Sequence, residues 1–219
     1  LFIGLGLPLV QGYGLTETSP LVSFQPLSGD PKTDSIGIPA PRTEVRLVDD
    51  QGHPVPPGEQ GELIVRGPQV MHVYWKQAGE TAQALRDGWF YTGDIAIMDE
   101  DFTFRIVDRK KDMIIVSGFN VYPNEIEEVI SAHEKVMEAA AIGVPDPKTG
   151  EAVHAYVVKR DDGLTEEELA AHCRSHLTRY KVPTQFIFRD ELPKTPIGKI
   201  LRKDLRKQAL ATNEKKIAA

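Results

Sequence analysis

Through the first half of the chain, short strand-like apolar runs are punctuated by glycine and proline. TEVRLVDD is followed by the turn-rich GHPVPPGEQ, then by GELIVRG, then by WFYTGDIAIMD, which a short turn joins to FTFRIVD. The pattern predicts a meander or barrel-like sheet, interrupted by one short helix over Ala78–Arg86. The opening LFIGLGLPLV is apolar for ten residues and reads as a buried strand.

At Asp108 the texture changes. DRKKD sets five consecutive charges between the apolar strands FRIV and MIIV, either as a solvated turn or as a hinge between two units. Helical and strand-like patterns interleave after it. PNEIEEVISAHE and LTEEELAAHCRSHL read as helices, the second opened by a capping box of Thr165 and Glu168. MEAAAIGV, AVHAYVVKR and QFIFRD read as strands. The loop ELPKTPIGK leads to a basic helix from Ile200 to about Leu210, and NEKKIAA reads as a frayed tail. The fold class is α+β: a β-rich part over 1–107, a hinge at 108–112 and a small α+β unit over 113–219.

Composition narrows the class. The chain has 219 residues, 41% hydrophobic and 26% charged, as soluble globular proteins do. A net charge of -6, dispersed in both signs, argues against a nucleic-acid partner. LFIGLGLPLV is too short to span a bilayer and lacks the basic start of a signal peptide. Cys173, the one cysteine, lies at helical spacing with Leu169 and Leu177, so a packed thiol in a reducing, cytoplasmic compartment is expected. The six histidines show no ligand spacing and are assigned no metal.

Five stretches place polar groups beside backbone bends rather than on a periodic face. QGYGLTETSP, taken alone, reads as a turn opening a surface helix. In DGWFYTGD, Gly93 and Asp94 close a strand, where the carboxylate could accept hydrogen bonds from a diol or sit as a plain turn residue. DRKKD and SGFNVYPNEIE follow. In LPKTPIGK, Pro193 and Pro196 stiffen a loop, Gly198 lets the backbone approach a ligand, and Lys199 is a compact cation suited to phosphate, though singly it reads as an ordinary solvated lysine.

In this order and spacing the stretches, with GELIVRG, resemble the acyl-adenylate-forming superfamily of acyl-CoA synthetases, aryl-CoA ligases, adenylation domains and luciferases. DGWFYTGD through DRKK is similar to the signature of long-chain fatty acid CoA ligases, and SGFNVYPNEIE to their bacterial members. The resemblance implies that residues 1–107 are the C-terminal portion of a large AMP-binding domain and that 113–219 are a small mobile domain. It implies that Tyr13 and Gly14 lie against the adenine, Thr16 hydrogen-bonds the α-phosphate and Glu17 ligates Mg2+. Asp94 would hold the ribose, Arg109 the ribose or phosphate, and Lys199 would be catalytic. Lys111 would be the pivot, and Gly118 would line the coenzyme A channel, where any side chain would obstruct it.

The implied activity joins a fatty acid to coenzyme A (CoA) using ATP and releasing AMP, through an acyl-adenylate. An acceptor other than CoA, or a non-catalytic interaction module, are the alternatives. Peripheral attachment to the inner membrane face and switching of Lys199 by a lysine acetyltransferase and deacetylase are further implications. The sequence departs from the family in three ways. It lacks the phosphate-gripping loop and the upstream acyl pocket, so a missing N-terminal domain is the expected partner and the chain alone is expected to be inactive. Phe102 stands where a turn glycine is usual, and Val73 stands for the glycine usual before Tyr74–Trp75.

Overall fold

The computed structural model describes residues 5–6, 9–27, 32 and 34–217, with side chains as far as 211. It divides into two compact units, 1–110 and 111–219.

The first unit carries two sheets. β1 (Gly12–Gly14), β2 (Leu21–Phe24) and β3 (Ile38–Pro39) form a small antiparallel one. β4 (Glu44–Val48) and β5 (Gln60–Arg66) begin the other. Helix α1 (Ala78–Ala84) then leads to β6 (Leu85–Arg86), β7 (Trp89–Met98) and β8 (Phe104–Arg109). The order is β4-β5-β7-β6, with β8 on β7, so the expected barrel-like sheet is an open antiparallel one and no barrel closes among the described residues. β5 shows why these strands read as continuous apolar runs. Leu63 and Val65 join a core with Val22, Leu47, Ala96 and Phe104, while Ile64 packs on the opposite side with Val48 and Trp89. Arg46 and Arg66 cover the Trp89 ring at 4.5 and 4.6 Å.

Two local expectations for this unit change. The helix stops at Ala84 because Asp87 and Gly88, both at positive φ, make the tight turn that pairs Leu85–Arg86 with Trp89–Phe90. Of the opening ten residues, 1–4 and 7–8 lie outside the described part. Leu5, Leu9 and Val10 are exposed and belong to no strand, so the buried-strand reading fails where it can be seen.

Phe102, the residue standing for a turn glycine, has φ +61° and a 65% exposed side chain. A left-handed non-glycine residue costs roughly 1–2 kcal/mol, and glycine flexibility returns about 0.5–1 of that to the unfolded chain. Phe102→Gly should therefore raise the unfolding free energy by about 0.5 kcal/mol. Urea denaturation checks this, and a lower midpoint would refute it.

The second unit contains β9 (Ile114–Val116), β10 (Phe119–Val121), α2 (Pro123–Ser131), β11 (Val136–Asp146), β12 (Gly150–Lys159), α3 (Glu166–His176), β13 (Gln185–Arg189) and α4 (Arg202–Ile217). The sheet order is β10-β9-β12-β11, with β13 parallel to β12. β12 is covered on both faces: Val153, Ala155 and Val157 pack with Ile126, Ile130, Leu169 and Cys173 of α2 and α3, and Ala152, Tyr156 and Val158 with Leu205 and Ala209 of α4. Burial pushes the Cys173 thiol up to about 11, in keeping with a packed thiol.

Thr165 caps α3 by accepting from Glu168 N at 3.2 Å, but the Glu168 carboxylate accepts from Lys135 at 2.9 and 3.0 Å, so only half of the expected box is described. Helix α4 starts at Arg202, because Ile200 and Leu201 close a hairpin, and its backbone stays helical to Ile217, through much of the tail read as frayed.

Candidate functional site

In the first unit, β1 runs into a single 3-10 turn over Thr16–Thr18, ended by Ser19 at φ +51°. A Cβ on Gly14 would lie 1.6 Å from the Pro20 carbonyl oxygen. Glycine is thus required here by the chain's own backbone, whatever ligand the turn faces. Buried Thr18 locks the turn: its hydroxyl accepts from Leu15 N at 3.0 Å and lies 2.9 and 2.8 Å from the Leu15 and Pro20 carbonyls. That leaves Thr16 exposed and Glu17 half-buried. Tyr74 donates its hydroxyl to Glu17 Oε1 at 2.8 Å, and Met71 N donates to the Glu17 carbonyl at 2.8 Å. Burial and that bond to Glu17 push the Tyr74 phenol up to about 12.

Asp94 corrects an expectation. It does not close a strand, since β7 continues to Met98. Instead residues 92–94 bulge from the ladder with β5, where Glu62 pairs with Ile95 and Ile64 with Tyr91, and Gly93 takes φ +73°. Such bulges re-aim side chains. Thr92 donates to the Leu63 carbonyl at 2.7 Å and accepts from Asp94 N at 3.1 Å, while Gly93 N donates to Glu62 Oε1 at 3.2 Å. Lys110 lies 2.9 Å from Glu62 Oε2 and 2.8 Å from Asp50, which compensates the buried Glu62 charge.

The bulge leaves Asp94 only 7% exposed, with Tyr13 donating to its Oδ2 at 2.5 Å and Arg109 Nε 3.6 Å from its Oδ1. Arg109 is its cross-strand partner on β8. Burial first, and the carboxylate next, push the Tyr13 phenol far above its ordinary range, so it stays a donor. The structure thus brings together Tyr13, Asp94 and Arg109, one turn of chain before Thr16 and Glu17. Thr18, Glu62 and Tyr74 were not singled out as site residues from sequence.

The five charges of DRKKD are not equivalent. Asp108 is 1% exposed, Lys110 is paired as above, Asp112 lies 3.5 Å from Arg202, and Arg109 and Lys111 are exposed. The boundary between the units falls between Lys110 and Lys111.

In the second unit, Ser117 and Gly118, at φ +52° and +84°, turn β9 into β10. Among the described residues, none beyond its own chain neighbours lies within 4 Å of a Cβ built on Gly118, so there its backbone angle is the constraint. Lys199 sits exposed on a small hairpin. Lys194 bridges Ile200, Thr195 N donates to the Lys199 carbonyl at 2.8 Å, and Lys199 N donates to Thr195 Oγ1 at 3.0 Å.

Among the described residues, no three His, Cys, Asp or Glu side chains could enclose a metal ion. The half-buried Glu17, next in the chain to exposed Thr16, could serve an ion that takes one protein carboxylate and fills its shell with phosphate oxygens and water, as Mg2+ does.

A bulge-held carboxylate beside a phenol and a guanidinium, close in the chain to a hydroxyl-rich turn, is a set of groups able to hydrogen-bond a polar ligand. Two family models match the chain: AMP-binding enzyme over residues 1–75 and AMP-binding enzyme C-terminal domain over 125–199. The chain belongs to the AMP-binding enzyme family, whose members form adenylates.

Among its relatives, the long-chain-fatty-acid–CoA ligase of Yersinia pestis is 61% identical over 201 residues, 92% of this chain and 36% of that protein. The chain spans about a third of the length of such relatives. ATP-bound MatB from Rhodopseudomonas palustris superposes with a TM-score of 0.86 at 37% identity, covering 93% of this chain and 41% of that one. Amide bond synthetase McbA from Marinactinospora thermotolerans gives 0.81 at 38% identity, covering 91% and 42%.

Proposed function

We propose that the chain is the C-terminal part of an ATP-dependent long-chain fatty acid CoA ligase, which converts fatty acid, ATP and CoA into acyl-CoA, AMP and pyrophosphate. The observation that carries the reading is the Tyr13–Asp94–Arg109 cluster leading into the Thr16–Glu17 turn. Asp94 accepts the ribose hydroxyls, with Arg109 facing the ribose or phosphate. The Tyr13 ring and the side-chain-free Gly14 backbone receive the adenine, and Thr16 donates to the α-phosphate.

Glu17, oriented by Tyr74, would hold Mg2+, which when bound would supply charge neutralisation at the phosphates. The carboxylate oxygen of the fatty acid attacks the α-phosphorus, pyrophosphate leaves, and Lys199 balances charge between the two. The CoA thiolate then attacks the acyl carbon and AMP leaves. The break between compact units after Lys110 supports a pivot at Lys111, within a hinge at 108–112, that exchanges the Lys199 hairpin for the Gly118 turn of the CoA channel. Exposure of Lys199 supports its control by acetylation, which removes the charge. No described helix is long and apolar enough to cross a membrane. Peripheral attachment at the inner membrane face and a cytoplasmic setting belong to the same proposal.

The test is acyl-CoA formation by the full-length protein from a fatty acid panel, followed by mass spectrometry, with pyrophosphate exchange as the measure of adenylation. Half a site leaves the developing charge unbalanced, so the chain alone should exchange no more pyrophosphate than its Lys199→Ala variant. Adenylation without consumption of CoA would favour the second reading, an acceptor such as an amine, which the likeness to an amide bond synthetase brings in. Failure to bind ATP by calorimetry would favour a non-catalytic interaction module.

A further inference from the structure

Arg202, the first residue of α4, is 19% exposed along its side chain and spreads its guanidinium over helix α2 and the turn at Lys110–Asp112. Its Nε and Nη2 donate to the two oxygens of Glu127 at 2.8 and 2.6 Å. Nη2 also donates to Asn124 Oδ1 at 2.5 Å, and Nη1 lies 3.5 Å from Asp112 Oδ2. Glu127 is itself fixed, because its Oε1 accepts from Ala141 N of β11 at 2.8 Å. A planar fork held by a bidentate carboxylate has one orientation, which an ammonium cannot reproduce.

This anchor stands three residues beyond Lys199. The hairpin between them has little slack: Leu201 N donates to the Pro193 carbonyl at 2.8 Å, and the other strand is tied by Lys194 to Glu138 at 2.5 Å. At the hairpin's base, Leu192 and Ile200 pack into the α4 side of the core. Both strands are therefore pinned below a tip that carries Lys199. The same guanidinium reaches Asp112, the neighbour of Lys111, so the chain leaving the unit boundary and the hairpin are fastened to one group.

We propose that Arg202 is a positioning residue for Lys199: it fixes the hairpin to α2 and to Asp112, so that a backbone turn at Lys111 carries the ammonium with it. The inference rests on the reading that Lys199 acts in adenylation. A clamp of this kind matters only in the step in which Lys199 acts. Misplacing a catalytic group by about 1 Å can cost on the order of 10²-fold.

Half-reactions of the full-length protein test it, with Arg202→Met, Arg202→Lys, Lys199→Ala and the Arg202→Met/Lys199→Ala double variant. Arg202→Met should slow adenylation by on the order of 10²-fold. Arg202→Lys should slow it less. Both should form thioester from supplied acyl-AMP and CoA at the parent rate, and the double variant should be no slower in adenylation than Lys199→Ala.

Equal loss of both half-reactions, or additive losses in the double variant, would make Arg202 a general structural residue and overturn the proposal. Should Arg202→Met fail to fold, Arg202→Lys carries the same comparison, and parent-like adenylation in it would overturn the proposal as well. Full adenylation by Lys199→Ala would instead overturn the functional reading, whereas loss in Lys199→Ala with none in Arg202→Met would overturn this inference alone.

Discussion

In the full-length protein, Lys199→Ala should lose on the order of 10²- to 10³-fold in adenylation, about 3 to 4 kcal/mol of transition-state stabilisation. It should still convert supplied acyl-AMP and CoA to acyl-CoA. The asymmetry follows from where charge develops. As phosphorus is attacked, negative charge accumulates between the carboxylate and the α-phosphate, and an ammonium placed there acts on that transition state more than on the ground state. When the thiol attacks the finished adenylate, the reacting centre is the acyl carbon.

The hairpin suits such a task because it keeps the Lys199 side chain exposed while its backbone is held at Thr195 and Ile200. The measurements are pyrophosphate exchange for the first step and thioester formation from synthetic acyl-AMP for the second. If the variant loses the second step as completely as the first, Lys199 is structural and its assignment here is wrong.

The candidate chemistry of this chain is legible in its sequence as a set of ordered motifs. Lys199, Asp94 and the YGLTE turn each read singly as ordinary turn or solvent-facing residues, and it is their order and spacing that carry the resemblance. What is not legible is what holds them. Tyr74 meets Glu17 across 57 residues, Glu62 meets Gly93 across 31, and Arg202 meets Glu127 across 75, and no periodicity encodes such encounters.

Strand existence likewise follows from apolar runs, whereas sheet closure depends on strand order, so among the described residues a meander that could have closed stays open. The bulge at 92–94 was hidden for a related reason. Alternation identifies a strand but does not reveal three residues with no partner on one edge. Gly14 carries the opposite lesson, since a glycine beside a candidate ligand invites a functional explanation and the Pro20 carbonyl already demands it.

Asp94→Ala should weaken ATP binding by about 10- to 150-fold, the range for hydrogen bonds to a charged group at about 1.5–3 kcal/mol. It should weaken binding of ATP in the first half-reaction and of the acyl-adenylate in the second, because both carry the same ribose. That sets it apart from Lys199→Ala, which divides the two. Part of the loss would be indirect: without the carboxylate the Tyr13 hydroxyl loses its acceptor and Arg109 its facing charge.

Two milder variants separate these contributions. Asp94→Asn keeps an oxygen for Tyr13 and removes the charge, so it should recover folding stability more than nucleotide affinity. Tyr13→Phe leaves the carboxylate for the ribose and should recover affinity more than stability. The Tyr13 phenol is raised above its ordinary value, so stability from its neutral form is complete below pH 10 and falls as pH rises above that. At neutral pH Tyr13 therefore remains a hydrogen-bond donor to Asp94. Calorimetry with ATP and equilibrium unfolding decide it: unchanged affinity in Asp94→Ala, or a loss confined to one half-reaction, would remove Asp94 from the nucleotide site.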